Sequence, residues 1–272
     1  VVTIKNKFIK SPLNYMGGKY KLLPQIIPLF PDNINTFVDL FAGGLNVGAN
    51  VVSNRVVAND KIKEVTALLS YLKEKDSNYV IDEIDKLIDE YGLSKTSIYG
   101  YDHYGCNSND GVGGYNKEKY LKLRDDYNNG NRSGLMFFML CVFCFNNMIR
   151  FNAKREFNMP VNNRDFNKSL QNKAIKFIDK LKQIDVSFTN KDFRELDIGS
   201  LKENDFVYCD PPYLITVASY NEFDKWTEDD ENDLYNMLDK LNDNGIRFAL
   251  SNVFYNNDKT NNILIEWSKK YI

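Results

Sequence analysis

The chain has 272 residues, 43% hydrophobic and 26% charged, with a formal net charge of -2. That length suits one large domain or a core domain carrying an insertion, and the composition is that of a soluble globular protein with a sizeable core. The charge balance excludes a chain marked as a whole for nucleic acid or membrane, so any such contact has to sit in a local patch.

In chain order, Lys5, Lys7 and Lys10 open the sequence without an apolar segment behind them, the pattern expected of a cytoplasmic chain. "SPLNYMGGKYKLLPQI" places Tyr15, a Gly17-Gly18 turn and Lys19 together. "NTFVDL" (35–40) has strand character, "FAGGLNVG" and "ANVVSN" follow as loop and helix, and "RVVAND" (55–60) is a second strand ending in an acid. This is the βαβ opening of a doubly wound, Rossmann-like α/β sheet. "KIKEVTALLSYLKEK" and "YVIDEIDKLIDEYG" carry helical periodicity, the second stopping at Gly92. The Gly/Asn-rich segment 99–115 reads as a mobile loop containing His103, the single histidine, on which any Ser-His or Cys-His chemistry would have to rest. Helical patterns return at 116–128 and 133–148. Within the latter, Cys141 and Cys144 sit in "LMFFMLCVFCF", which reads as a buried helix face; no second Cys/His pair completes a zinc site, and the run is too short to span a membrane.

From about residue 170 the α/β pattern resumes: a helix over "SLQNKAIKFIDKLKQI", a strand at "VSFTN" (186–190), and a strand at "DFVYC". A helix capped by Thr227 and Gly245 follows, then a strand at "IRFALSN". The expected division is a catalytic domain from 1–62 and 171–272 around a mostly helical insertion at 63–170. Nine acids against two basic residues in 222–243 read as a solvated helix rather than a site.

Three stretches carry chemistry. Gly43 and Gly44 follow a strand without the spacing of a dinucleotide fingerprint or the lysine of a Walker A loop. Asp60, 21 residues after Asp39, stands where an acid accepts ribose hydroxyls. With few basic residues nearby, the loop favours a nucleoside cofactor without pyrophosphate, such as S-adenosyl-L-methionine, whose carboxylate Lys19 could hold. A glycine turn that only packs helix on sheet is the competing reading. "VYCDPPYL" then puts Asp210 at a strand end. Pro211 and Pro212 fix the backbone and remove N–H donors, so the loop presents acceptors. Acceptors suit an exocyclic NH₂ of a nucleobase, with Tyr213 available to stack on the ring. The competing reading is an ordinary turn with an exposed acid.

Together, "NYMGGKYKLLP", "FVDLFAGGLNVG" and "VYCDPPYL" resemble, in that order and over nearly the whole chain, the motifs of the Dam-type (D12-class) DNA adenine-N6 methyltransferases. The resemblance implies S-adenosyl-L-methionine at Tyr15, Lys19, Asp39, Phe41, Gly43, Asp60, Asp192, Phe193 and Asp210, and a target adenine, flipped from duplex DNA, at Asp210, Pro211, Pro212 and Tyr213. "FNNMIRFNAKREFNMP" (145–160) resembles the family's DNA-recognition hairpin, assigning DNA contacts to Phe145, Asn146, Arg150, Lys154, Arg155 and Pro160. Seven basic residues against two acids over 145–176 agree with a phosphate-binding patch.

Leu45 and Arg155 stand where relatives commonly carry glycine, and family members often run past a point like Ile272, which leaves further strands expected. Leu45 is expected to narrow the cofactor loop. "DPPYLIT…SYN" resembles members that recognise GATC, and a restriction endonuclease is an implied functional partner. Open alternatives are methylation of another amine (cytosine N4, an RNA base or a glutamine side chain) or a non-catalytic DNA-binding module that keeps the fold. Heavy use of Asn, Lys, Ile, Tyr and Phe suggests an AT-rich bacterial or phage genome.

Overall fold

Short β-branched and aromatic runs build a parallel sheet in the computed structural model, which describes residues 8–15, 17–216 and 225–271. Met16, the Ser219–Asn221 stretch of the resemblance and the start of the acidic segment fall outside the described residues. Strands β1 (Ile34–Asp39), β2 (Ser53–Asn59), β3 (Val186–Thr189), β4 (Phe206–Cys209) and β5 (Arg247–Leu250) pair in the order β3-β2-β1-β4-β5. In the central register Val38 lies opposite both Val57 and Val207.

Alternation along each strand divides the core between two faces. Phe37, Phe206 and Tyr208 point to one, Val38, Val207 and Cys209 to the other. The sheet is covered on both sides, so β4 is buried at every position and reads as an unbroken apolar run.

A short α1 (Leu23–Ile26) precedes the sheet. Between β2 and β3 lie α2 (Lys63–Glu74), α3 (Ser77–Tyr91), α4 (Thr96–Tyr99), α5 (Gly113–Asn128), α6 (Gly134–Phe143) and α7 (Lys168–Gln183). Helix α8 (Glu228–Asp243) joins β4 to β5, and α9 (Asn262–Ser268) follows β5. Local signals set several ends. Asp76 caps α3 by accepting from Asn78 N and Tyr79 N, and Gly92, at φ 66°, ends it. Thr227 and Asp230 form a capping box on α8. Leu68, Ile84, Phe137 and Phe177 of the inserted helices join Phe37 and Phe206 in one continuous core. The inserted helices therefore have no hydrophobic core of their own, and position 170 falls within α7.

Three local expectations are corrected. The link from β1 to β2 forms no regular helix: Gly43 (φ 48°) and Leu45 (φ 59°) are left-handed, which leaves a coil of turns with only Ala49 N to Leu45 O and Val51 N to Val47 O in helical register. The 99–115 segment is stapled rather than free, since Val112 N donates to Asn163 O and Arg164 Nη1 to Tyr101 OH at 3.1 Å. The helical pattern at 133–148 ends at Phe143, where the Asn147 amide caps the carbonyls of Cys141 and Val142. Cys141 and Cys144 are both buried, and burial pushes the Cys144 thiol up to about 12. Among the described residues no helix is long and apolar enough to cross a membrane.

Candidate active site

The strand order reverses between β1 and β4, so the connections leaving their carboxyl ends part and open a crevice. Asp39 ends β1 and Asp210 directly follows β4, which puts both carboxylates there. A cavity of about 420 Å³ occupies the crevice. Tyr15, Lys19, Asp39, Phe41, Gly43, Asp60, Asp192, Phe193, Asp210, Pro211, Pro212 and Tyr213 all line it. Five separate stretches of chain are thereby brought to one volume, of a size that holds a nucleoside-sized ligand.

Lys19 lies on a tight turn whose preceding Gly17 is at φ 75°. Its ammonium donates to Gly17 O at 2.8 Å and to Asp210 Oδ2 at 2.6 Å. The carboxylate it holds is thus that of the protein's own Asp210. Tyr213 donates from its hydroxyl to Asp210 Oδ1 at 3.1 Å, and Lys19 Nζ stands 5.2 Å from the Tyr213 ring centre. Burial pushes the Asp210 carboxyl up, while the Lys19 charge and both hydrogen bonds pull it down. The loop orients one carboxylate from two sides and supplies no N–H from Pro211 or Pro212.

The glycine loop is pinned from below. Asp60 Oδ2 accepts from Gly43 N and Oδ1 from Ile62 N, each at 2.8 Å. A side chain at Gly43 would meet the Tyr15 ring at 3.0 Å, so the ring's packing on the loop needs glycine as much as the positive φ does. Asp60 also lines the cavity. Asp39 Oδ2 accepts from Gly48 N at 3.0 Å, and burial with two neighbouring acids raises its carboxyl to about 7. The sequence reading missed Asn59. Its amide donates to Leu40 O and Lys191 O and accepts from Thr189 Oγ1 and Lys191 N, which ties together the chain ends leaving β1, β2 and β3.

Leu45 does not narrow the cavity. Its side chain is fully buried in the core, and the cavity lining passes from Gly44 to Asn46. The far wall was also misjudged. Lys225, Trp226 and Asp230, from the acidic stretch read as a solvated helix, line the cavity. Phe41, Phe193 and Trp226 make an aromatic wall with ring centres 5.5 to 5.8 Å apart. Arg194 clips the rim by pairing with Asp192, Asp230 and Asp233. The visible signal was a tryptophan immediately before the Thr227 cap; only the fold turns that helix start toward the strand ends.

The DNA candidates lie outside this cavity. Residues 150–158 form a narrow hairpin: Phe151 bridges Phe157, Asn158 N donates to Arg150 O and Asn152 N to Glu156 O. Buried Phe151 and Phe157 anchor it on Phe137. Lys154 and Arg155 are exposed at its tip, and Phe145, Asn146 and Pro160 are exposed at its base. Arg150 is half-buried, with Nε donating to Asn158 Oδ1 at 2.8 Å, so its guanidinium is held before any partner arrives. The base touches the segment leading to Tyr15 and Lys19 through Asn14 Nδ2 and Asn147 Oδ1 at 3.4 Å. His103 does not line the cavity; it stacks on Tyr99 at 4.9 Å.

Comparison with known proteins adds a family. The model for D12 class N6 adenine-specific DNA methyltransferases matches residues 15–271. The chain is 42% identical to modification methylase StsI of Streptococcus sanguinis, over 98% of this chain and 39% of that protein. It is 42% identical, with the same coverage of each chain, to type II methyltransferase M.FokI of Planomicrobium okeanokoites. A DNA adenine methylase of Serratia marcescens is 23% identical over 77% of this chain and 68% of its own length. The chain spans about two fifths of the first two relatives, which carry 39% of their length in the match.

Proposed function

The chain belongs to the D12 class of N6 adenine-specific DNA methyltransferases, and we propose that it transfers a methyl group from S-adenosyl-L-methionine to adenine N6 in duplex DNA. The observation that carries this reading is the buried Asp210 carboxylate, oriented by Lys19 and Tyr213 at the end of β4, facing the same cavity as Asp60 and the aromatic wall.

The residues present fit the cofactor. An aromatic wall suits a purine, Asp60 places a carboxylate on the cavity lining where ribose hydroxyls need an acceptor, and the buried carboxylates Asp39 and Asp210 suit a cationic ligand. Bound there, the cofactor supplies an electrophilic methyl group. The protein's part is placement and fixed electrostatics. Asp210 accepts one N6 hydrogen and the carbonyl side of the Asp-Pro-Pro loop offers a second acceptor, which keeps the amine's lone pair out of the ring. Tyr213 packs on the base. The Lys19 ammonium opposes the upward push that burial puts on the Asp210 carboxyl.

The hairpin at 150–158, within the insertion at 63–170, supplies the DNA contacts. Phe145 and Asn146 sit at the base of the hairpin, Arg150 reads a base edge, and Lys154 and Arg155 meet phosphates. A target base inside a duplex has to be flipped out to reach Asp210. The names of the relatives support a modification role beside a restriction endonuclease in a bacterial cytoplasm. The test is incubation with labelled S-adenosyl-L-methionine and unmethylated DNA, followed by nucleoside analysis. N6-methyladenine is expected; its absence while calorimetry shows cofactor binding rejects the reading. Modified-base sequencing of DNA from expressing cells then gives the recognition sequence, with GATC as the expectation from the resemblance.

A further inference from the structure

Glu231 is fully buried, and its hydrogen-bond partners are neutral donors. Oε1 accepts from Tyr235 OH, Asn252 Nδ2 and Asn261 Nδ2, while Oε2 accepts from Trp226 Nε1 at 2.6 Å. Burying a carboxylate against neutral donors is a poor route to stability, because desolvation of the charge is offset only by hydrogen bonds. What the arrangement does secure is the direction of one ring. An indole N–H fixed at one edge fixes the whole plane, and the Trp226 ring lies against Phe41 at 5.8 Å and Phe193 at 5.5 Å on the cavity wall.

We infer that Trp226 binds the cofactor's purine as the third member of an aromatic box with Phe41 and Phe193, and that Glu231 is its positioning residue. This rests on reading the cavity as the S-adenosyl-L-methionine site. The rim is held independently: Arg194 clips Asp230 to Asp192 across the same opening, so Glu231 governs the ring and Arg194 the edge. The chemistry predicts an unusual selectivity. In Glu231→Gln the amide oxygen, with two lone pairs, can keep at least two of the three donors now on Oε1. The NH₂ then faces the indole N–H, donor against donor, and releases Trp226 while most of the cluster stays bonded.

The test uses the full chain and S-adenosylhomocysteine as probe. Trp226 and Trp267 are the two tryptophans, so Trp267→Phe leaves Trp226 as sole reporter. Its emission is expected to change on saturation with the probe. Glu231→Gln is expected to weaken probe binding and raise the cofactor KM about tenfold, with kcat at saturating cofactor and DNA affinity held within about twofold. In a Trp226→Phe background the same change is expected to weaken binding by less than about twofold, because the partner is gone. Additive losses in the double variant, or unchanged Trp226 emission while calorimetry shows the probe bound, overturn the inference; the emission test stands even if Glu231→Gln does not fold. A wild-type chain that binds no probe by calorimetry instead rejects the cofactor reading, and the inference with it.

Discussion

Lys19 and Asp210, 191 residues apart in sequence, meet as an ion pair at 2.6 Å on the floor of the cavity. The pair joins the Gly17–Lys19 turn to the Asp-Pro-Pro-Tyr loop. In the proposed reaction it sets the charge of the group that accepts a hydrogen of the substrate amine. Burial drives the Asp210 carboxyl up and Lys19 is the main force opposing it.

Removing the cation therefore moves the pH profile. In Lys19→Gln the Asp210 pKa rises further, so activity is lost at a higher pH on acidification. The acid limb of kcat against pH, at saturating cofactor and DNA, is expected to shift upward. An unshifted limb assigns it to another group. Asp210→Ala is expected to abolish transfer while calorimetry still detects the cofactor; near-normal turnover rejects the role given to Asp210.

Asp39 gives a stability test with a definite sign. Its carboxyl is raised from 3.8 to about 7 in the folded chain. The neutral form is favoured by folding, so its contribution is full below pH 3.8 and lost as pH rises through about 7. Asp39→Asn keeps an acceptor for Gly48 N and never ionises. The variant is expected to melt close to the parent at pH 4 and above it at pH 8, by at least about 1 kcal/mol. Thermal melts of the cofactor-free chain at both pH values decide it; equal shifts at the two pH values refute the assignment.

Leu45 and Arg155 occupy left-handed backbone, at φ 59° and 58°. Leaving that region is worth about 1 kcal/mol for either residue. At Leu45 the buried side chain outweighs it. Leu45→Gly is expected to destabilise by roughly 2 kcal/mol or more, since it empties a fully buried site packed toward Gly48. At Arg155 the side chain is exposed, so no buried site is emptied, and Arg155→Gly is expected to leave stability equal or slightly higher in urea titration. Opposite signs are the outcome to look for.

The DNA contacts proposed for the hairpin are of two kinds. Arg150→Ala is expected to reduce discrimination between cognate and altered sites by about tenfold or more. Lys154→Ala is expected to weaken binding evenly across sequences and lower the salt slope by about one. Asn158→Ala, which frees the Arg150 guanidinium, is expected to act like a milder Arg150→Ala. Fluorescence anisotropy at several salt concentrations reads all three.

Much of the architecture was legible because it is local. Apolar runs of four to six residues marked β1 and β4, Asp76 and Gly92 marked the ends of α3, and Thr227 marked the start of α8. The residues quoted from the three motifs also named the members of the cavity, because loops at strand ends in a parallel sheet share one edge. The coil after β1 was not legible: its helical spacing is overruled by left-handed backbone at Leu45, which no side-chain pattern announces.

What the sequence by itself determined was the parallel α/β order, the acid at the end of β4 and the glycine loop after β1, all consequences of nearest-neighbour propensity and periodicity. Only the tertiary structure decided which carboxylate Lys19 holds, which backbone amides Asp60 pins, and that Trp226 and Asp230 of an acidic segment face the cavity. Those depend on where separate segments cross, and Glu231 makes the reason plain. It stands in the most acidic run of the chain, where composition points to water, yet one turn of helix and four neutral donors, two of them from distant Asn252 and Asn261, place it in the core.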